Sequence, residues 1–156
     1  MKFKKLLILF FVLFLVCGCD NSKKDIIAVC TKSVKNSDGL NISVTDTSKY
    51  DDQKLLYYNE TVTVESGFTD KESYESRKKL YSNVNETMQN NENYKYIVDD
   101  NNKTITIKMI MNNFDLTKYT DEEKKGLTAS VRINSYESSG YTCKISGTTR
   151  KRLGLK

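Results

Sequence analysis

The sequence predicts an α+β fold: an antiparallel sheet of about five strands packed against one long and one or two shorter helices. Three observations carry that expectation. Apolar and polar residues alternate in several short runs separated by Gly-, Asn- and Asp-rich turns, the pattern of strands with one buried face. A longer stretch from Thr69 to Met88 changes to a helical period. A second capping sequence, Thr120 to Glu123, opens a further helix. A length of 156 residues suits one such domain.

The chain opens with a leader. Met1 to Lys5 is basic and Leu6 to Val16 is an uninterrupted apolar run. That run falls well short of the ~20 residues that cross a bilayer core, so it reads as a secretory signal, with an uncleaved signal-anchor as the alternative. It ends Val16-Cys17-Gly18-Cys19. The ending resembles a bacterial lipobox, in which an aliphatic residue and a tolerated residue lead to Gly and then to the modified cysteine. Only Cys19 fits, because Cys17 follows Val16 rather than a small residue. The resemblance implies cleavage before Cys19, a diacylglyceryl thioether on its sulfur, and a further acyl group such as palmitate on the new amino terminus. Two or more acyl chains give durable anchoring. The protein is then expected at the cell membrane, lipid-anchored and facing the outside of the cytoplasmic membrane.

With Cys17 in the leader and Cys19 acylated, Cys30 and Cys143 remain. Outside the cytoplasm such a pair tends to close as a structural disulfide; the alternative is two thiols that never meet. A bond would pin the first strand to the C-terminal segment. No Cys-x-x-Cys supports a redox role.

Beyond the polar tether Asp20 to Lys24, Ile26 to Val34 reads as a strand. Asn36-Ser37-Asp38-Gly39 is a turn, and Leu40, Ile42 and Val44 alternate into a second strand, completing a hairpin. Tyr50 to Gln53 turns the chain into a third strand, Lys54 to Glu65. There Leu56, Tyr58, Val62 and Val64 share a face with Glu60, a charge that needs solvent or a partner. Thr69 is the expected cap of the long helix, with Glu72 completing a capping box. Tyr74, Tyr81, Val84 and Met88 form its stripe, Leu80 widens it, and Asn90-Asn91 end it. Asn93 to Val98 and Lys103 to Met111 make a second hairpin around Asp99-Asp100-Asn101-Asn102. Ile105, Ile107, Met109 and Met111 face one way; Thr104, Thr106 and Lys108 face the other. Gly126 closes the short helix begun at Thr120. Ala129 to Ser139 stays open: Ala129, Val131 and Ile133 alternate like a strand, whereas Ser138-Ser139-Gly140 resembles a helix end. The expected divisions are 1–18 signal peptide, 19–24 tether, 25–145 domain and 146–156 a basic tail, disordered or touching an anionic membrane.

The lipobox, Cys30-Thr31-Lys32 opening a hairpin, the Tyr74/Tyr81 helix, the second hairpin and Ser138-Ser139-Gly140-Tyr141-Thr142-Cys143-Lys144 together resemble the YehR-like small bacterial lipoproteins. That family is of unknown function, and the resemblance covers about residues 25–145. It implies a compact α+β domain, favours helix for Ser130 to Ser139, and implies that Cys30 and Cys143 lie near one another. It brings no catalytic residues.

The chemistry that the chain excludes is more definite. It contains no His, no Pro and no Trp, so Ser-His-Asp and Cys-His catalysis and every His-ligated metal are ruled out. The formal charge of +5 includes Lys2, Lys4 and Lys5 of the leader. The small excess that remains is too weak a field to argue for nucleic acid. There is no phosphate loop and no zinc or EF-hand motif. Asp99 to Asn102 has oxygen ligands, but a tight turn explains them without calcium. No catalytic residue, metal or cofactor is therefore expected. Tyr57, Tyr58, Tyr94 and Tyr96 fall on neighbouring expected strands as a candidate binding surface, although tyrosine equally suits a half-buried core. The expected function is a non-catalytic binding or interaction module, a monomer held to the membrane through Cys19, with an envelope protein or other ligand as partner and no nucleic acid. The alternative is a cell-envelope enzyme that works with carboxylates or Tyr.

Overall fold

A computed structural model describes residues 25–156 apart from Asp38, Gln89 and Asn113. The signal peptide, Cys19 and the tether lie outside the described residues. Strands β1 (Ile26–Lys35), β2 (Asn41–Tyr50) and β3 (Leu56–Ser66) form a meander. Helix α1 (Lys71–Met88) follows, then the hairpin β4 (Tyr94–Asp99) and β5 (Thr104–Asn112). A 3₁₀ turn at Leu116–Lys118, α2 (Asp121–Gly126), α3 (Ala129–Ser138) and β6 (Thr142–Ser146) complete the order, before a last 3₁₀ turn at Lys151–Leu153. The strands make one six-stranded sheet in the order β4-β5-β3-β2-β1-β6, and every neighbouring pair is antiparallel.

The sheet thus has six strands rather than about five. The extra one is β6, whose short Thr-Cys-Lys-Ile-Ser run gives little period to read. It pairs with β1 so that Cys143 stands directly opposite Cys30, and the two are joined by a disulfide across 113 residues.

Local chemistry explains the helix boundaries. α1 begins one residue later than the capping box suggested: the cap is Asp70, whose Oδ1 accepts from Ser73 N at 2.7 Å. A carboxylate at that position also complements the helix dipole. α2 has the expected box, with Thr120 Oγ1 accepting from Glu123 N and Glu123 Oε2 accepting from Thr120 N. The open segment is a helix. Ala129 and Ile133, four apart, are fully buried, while Val131 between them is exposed, which is a helical rather than a strand period. Gly140 closes it at φ +84. Its N–H donates to Glu137 O, Tyr141 N–H donates to Tyr136 O, and the Tyr136 and Tyr141 rings meet edge to face at 5.2 Å. This is the left-handed glycine cap with its accompanying ring contact.

One core cluster joins Ile26, Ala28, Cys30, Tyr50 and Leu56 of the sheet to Ala129 and Ile133 of α3 and to Leu153 and Leu155. The C-terminal segment is therefore not a loose tail, and the domain runs past residue 145. Its two leucines are buried, and the Arg150 guanidinium grips Glu137 through two 2.8 Å bonds. Composition alone hid this, because the basic residues outnumber the leucines that do the packing.

Candidate functional site

The period of two assigns each strand residue to a face. Cys30 pairs with Asp46, Asp46 with Thr61, and Thr61 with Met109, so these four share one face. Ala28, Ser48, Asn59 and Met111 form the next row of it, and Tyr94 and Tyr96 continue it on β4. α1 packs on β4, and α3 packs on β1 and β6. The middle strands pass between the two helices.

Each helix is fastened to the middle strands by the same set of residue types. On the α3 side the centre is Asp46, buried on β2. Its oxygens accept from Ser48 Oγ at 2.8 Å, Asn59 Nδ2 at 2.8 and 2.9 Å, and Thr61 Oγ1 at 3.1 Å. Tyr136 of α3 directs its hydroxyl to the same carboxylate and accepts from Arg132 Nη2 at 2.9 Å. Burial first, and Asp46 second, push the Tyr136 phenol far above its ordinary value, so it stays a donor. The polar atoms left over here can all donate: Tyr50 OH, which lies beside Ser48 and Arg132, and Arg132 Nε are buried without a hydrogen bond of ordinary geometry.

On the α1 side the centre is Glu65, buried on β3. Oε1 accepts from Tyr81 OH at 2.6 Å. Burial, and then this bond, raise Tyr81 to about 12. Oε2 lies 3.4 Å from Arg77 Nε and accepts no hydrogen bond of ordinary geometry. The leftover atom of this carboxylate is thus an acceptor. Each arginine sits four residues before its tyrosine, and each guanidinium lies over the ring, at 6.0 Å for Arg77 and 5.5 Å for Arg132.

Between these two clamps lies a strip of sheet. Val44, Thr61 and Thr63 are only half-buried there. Leu80 and Val84 sit three and seven residues after Arg77, hence on the flank of α1 that reaches β3. Val34, Leu80, Val84, Met109 and Met111 are between 41 and 53% exposed and lie on this face or on its helical wall; of the other exposed large apolar residues, Ile97 is on the opposite face and Val131 on α3. Scattered exposed apolar side chains are ordinary, but a run of them along one surface marks an interaction site. Methionine suits such a site because its unbranched thioether adapts to different shapes. At the end of β5 lies a recess of about 430 Å³ lined by Met111, Phe114, Tyr119 and Glu123 among others.

The four tyrosines singled out by sequence do not form one surface. Tyr94 is buried, and Tyr96 OH donates to Lys78 O of α1 at 3.1 Å, so both belong to the packing under α1. An irregularity between Lys49 and Tyr50 shifts the register against β3. It places Leu56 on the helix face and leaves Tyr58 on the opposite one. There Tyr58 lies under Lys49 at 4.8 Å and donates to Glu60 Oε2 at 2.7 Å. Glu60 has the partner it needed: Lys108 Nζ at 2.7 Å, the first cause of its lowered pKa, ahead of Tyr58. Tyr57 OH donates to Asp25 Oδ2 at 2.7 Å. The Asp99–Asn102 segment is a turn, with Asp99 Oδ1 accepting from Asn101 N and Asn102 N. Among the described residues no cluster of Cys, Asp or Glu could hold a metal ion.

No family model, no curated protein and no solved structure matches the chain. Sequence reasoning passed over Asp46, Glu65, Arg77 and Arg132. A signal was present: Arg-x-x-x-Tyr occurs at Arg77/Tyr81 and at Arg132/Tyr136, each on a helix that faces an acidic residue at an inward strand position.

Proposed function

We propose that the chain is a lipid-anchored, extracytoplasmic lipoprotein of the YehR-like kind, a non-catalytic binding module whose ligand occupies the strip between α1 and α3. The observation that carries the reading is the exposure of Val34, Met109 and Met111 on the sheet beside Leu80 and Val84 on the flank of α1. The Gly18-Cys19 ending of the leader supports the anchor. Among the described residues no helix is long and apolar enough to cross a membrane.

The state of the acidic groups supports binding over catalysis. Asp46 spends its oxygens on Ser48, Asn59 and Thr61. Tyr81 and Tyr136 are held protonated, so they are poor bases and poor nucleophiles. An enzyme of the alternative kind needs carboxylates that converge on an accessible point; these two are buried under different helices.

Two tests separate anchor from strip. Metabolic labelling with an alkyne fatty acid should tag the wild type and leave Cys19→Ala untagged; a labelled mutant ends the anchor assignment. A photoreactive residue at Met109 or Val84 in intact cells should capture a partner. The same residue at Lys95, on the opposite face, should not. Equal capture from the two faces counts against the strip.

A further inference from the structure

The end of the domain where the tether enters has a charge pattern of its own. β1 starts at Ile26, which pairs with Tyr50, the last residue of β2. Ser146 at the end of β6 pairs with Ile27. The chain after β6 crosses against the entry point: a Cβ on Gly147 would stand 2.1 Å from Asp25 O, so only glycine allows the two segments to touch. From there the last segment folds back. Leu153 and Leu155 are buried, while Lys54, Lys151, Arg152 and Lys156 are exposed. The cluster is held in place rather than loose. Lys54 Nζ donates to Arg152 O at 3.1 Å, and Arg150 Nε donates to Lys156 O at 2.8 Å.

We propose that this cluster is a headgroup-docking surface, with Lys54, Lys151, Arg152 and Lys156 resting on the phosphates of an anionic lipid bilayer. The inference rests on the acylation of Cys19. Two facts select a membrane as the occupant. The first is reach: the residues between Cys19 and Asp25 extend to roughly 20 Å at most, so this end, and no other, is confined near the headgroups. The second is charge. The acids at this end are Asp25, which accepts from Tyr57, Asp51, whose Oδ1 accepts from Leu55 N at 2.8 Å, and Asp52, which also has a partner; they keep their charge but are outnumbered by the exposed cations Lys54, Lys151, Arg152 and Lys156. Glu137 is paired with Arg150. Clusters of basic residues beside an anchor draw a domain onto anionic lipid, and the attraction fades within a Debye length. Such a contact would set the domain upright, with the strip running away from the bilayer and open to a partner.

The test uses the acylated protein in vesicles of phosphatidylcholine alone or mixed with phosphatidylglycerol. Amide exchange in 51–56 and 149–156 should be slowed about tenfold by the anionic lipid at low salt, and the slowing should vanish at high salt. Lys54→Gln, Lys151→Gln, Arg152→Gln and Lys156→Gln together should abolish it; glutamine at residue 54 can still donate to Arg152 O. Lys35→Gln with Lys71→Gln, at the far end, should leave it intact. Co-flotation with the vesicles but equal exchange in both overturns the contact and leaves the anchor standing. Slowing that survives the fourfold change also overturns it. Failure to float with either vesicle overturns anchor and contact together.

Discussion

The two helices lie on one face of one sheet and use the same residue types, yet they are not held alike. α3 covers a continuous core with Ala129 and Ile133 fully buried. It packs on β1 and β6, which the Cys30–Cys143 disulfide joins. Its carboxylate, Asp46, is surrounded by donors. α1 buries one residue, Tyr74, and carries Leu80 and Val84 in the open. It is otherwise fastened by polar side-chain bonds: Tyr81 to Glu65, Tyr96 to the α1 backbone, and Tyr74 and Lys78 to Asp100 Oδ1 at 2.8 and 2.6 Å. Apolar burial and a covalent link act at full strength whatever the side chains do, whereas single hydrogen bonds contribute about 1 kcal/mol each and can be exchanged for water. The strip therefore has one fixed wall, α3, and one yielding wall, α1. That construction suits the proposed binding role, and the methionines on its floor are adaptable in the same sense.

The difference can be attacked from several sides. Replacing Cys30 and Cys143 by Ala should cost the most, about 4 kcal/mol in urea unfolding, by the loop-closure argument. The loss of protection should be concentrated in α3 and β6; a uniform loss would make the disulfide a global brace and not a property of one wall. Next come the carboxylates. Asp46→Asn places an amide among groups that are already donors, and should cost about 2–3 kcal/mol. Glu65→Gln keeps the acceptor for Tyr81 and alters only Oε2, which faces Arg77 at 3.4 Å without an ordinary hydrogen bond, so a smaller loss of about 1 kcal/mol is expected. Equal losses would erase the distinction between the clamps.

Alkaline titration separates the walls by pH. A phenol whose native pKa is raised binds its proton more tightly when folded. Its contribution is complete below the unfolded value of about 10 and is lost as pH rises through the folded value. Tyr81 is raised to about 12, and Tyr136 further in the same direction. Stability should hold to about pH 10 and fall above it. Tyrosinate absorbance should report Tyr81, together with Tyr57 and Tyr74, which are raised to about 12 as well, before Tyr136; Tyr81→Phe should reduce that earlier step, and an unchanged profile would count against the Tyr81–Glu65 link. The smallest effect on stability belongs to the exposed wall. Leu80→Ser with Val84→Ser should change unfolding by less than about 0.5 kcal/mol for each residue, while removing capture from Met109.

Much of this architecture was legible in the residues. The hairpins and α1 followed from alternation and period, and α2 from its cap. The Cys30–Cys143 pair followed once the lipobox had removed two other cysteines from consideration. What stayed hidden has common causes. The face carrying Leu56 depended on one register irregularity at Tyr50, and a single slip reverses every side chain beyond it. Met109 and Met111 share the face of Ile105 and Ile107, and alternation reveals a face without revealing whether a helix covers it. α1 stops short of them, since its contacts concentrate on β4. The clamps escaped because Asp46 and Glu65 are polar at inward positions, where a pattern reading expects apolar residues. Their partners come from helices distant in sequence, so only the folded chain brings them together. Leu153 and Leu155 escaped because three basic neighbours dominated the composition of their segment.

Native-state amide exchange on the intact, oxidised protein tests the unequal walls most directly. If α3 is fixed and α1 yields, the amides around Ile133 and Tyr136 should exchange only through global unfolding, with the same denaturant dependence as the whole domain. Those around Tyr81 and Val84 should exchange through a smaller opening, of lower free energy and weak denaturant dependence. Amides in α1 that are as protected as those in α3, and exchange by the same global route, would contradict the distinction and with it the yielding side of the binding strip.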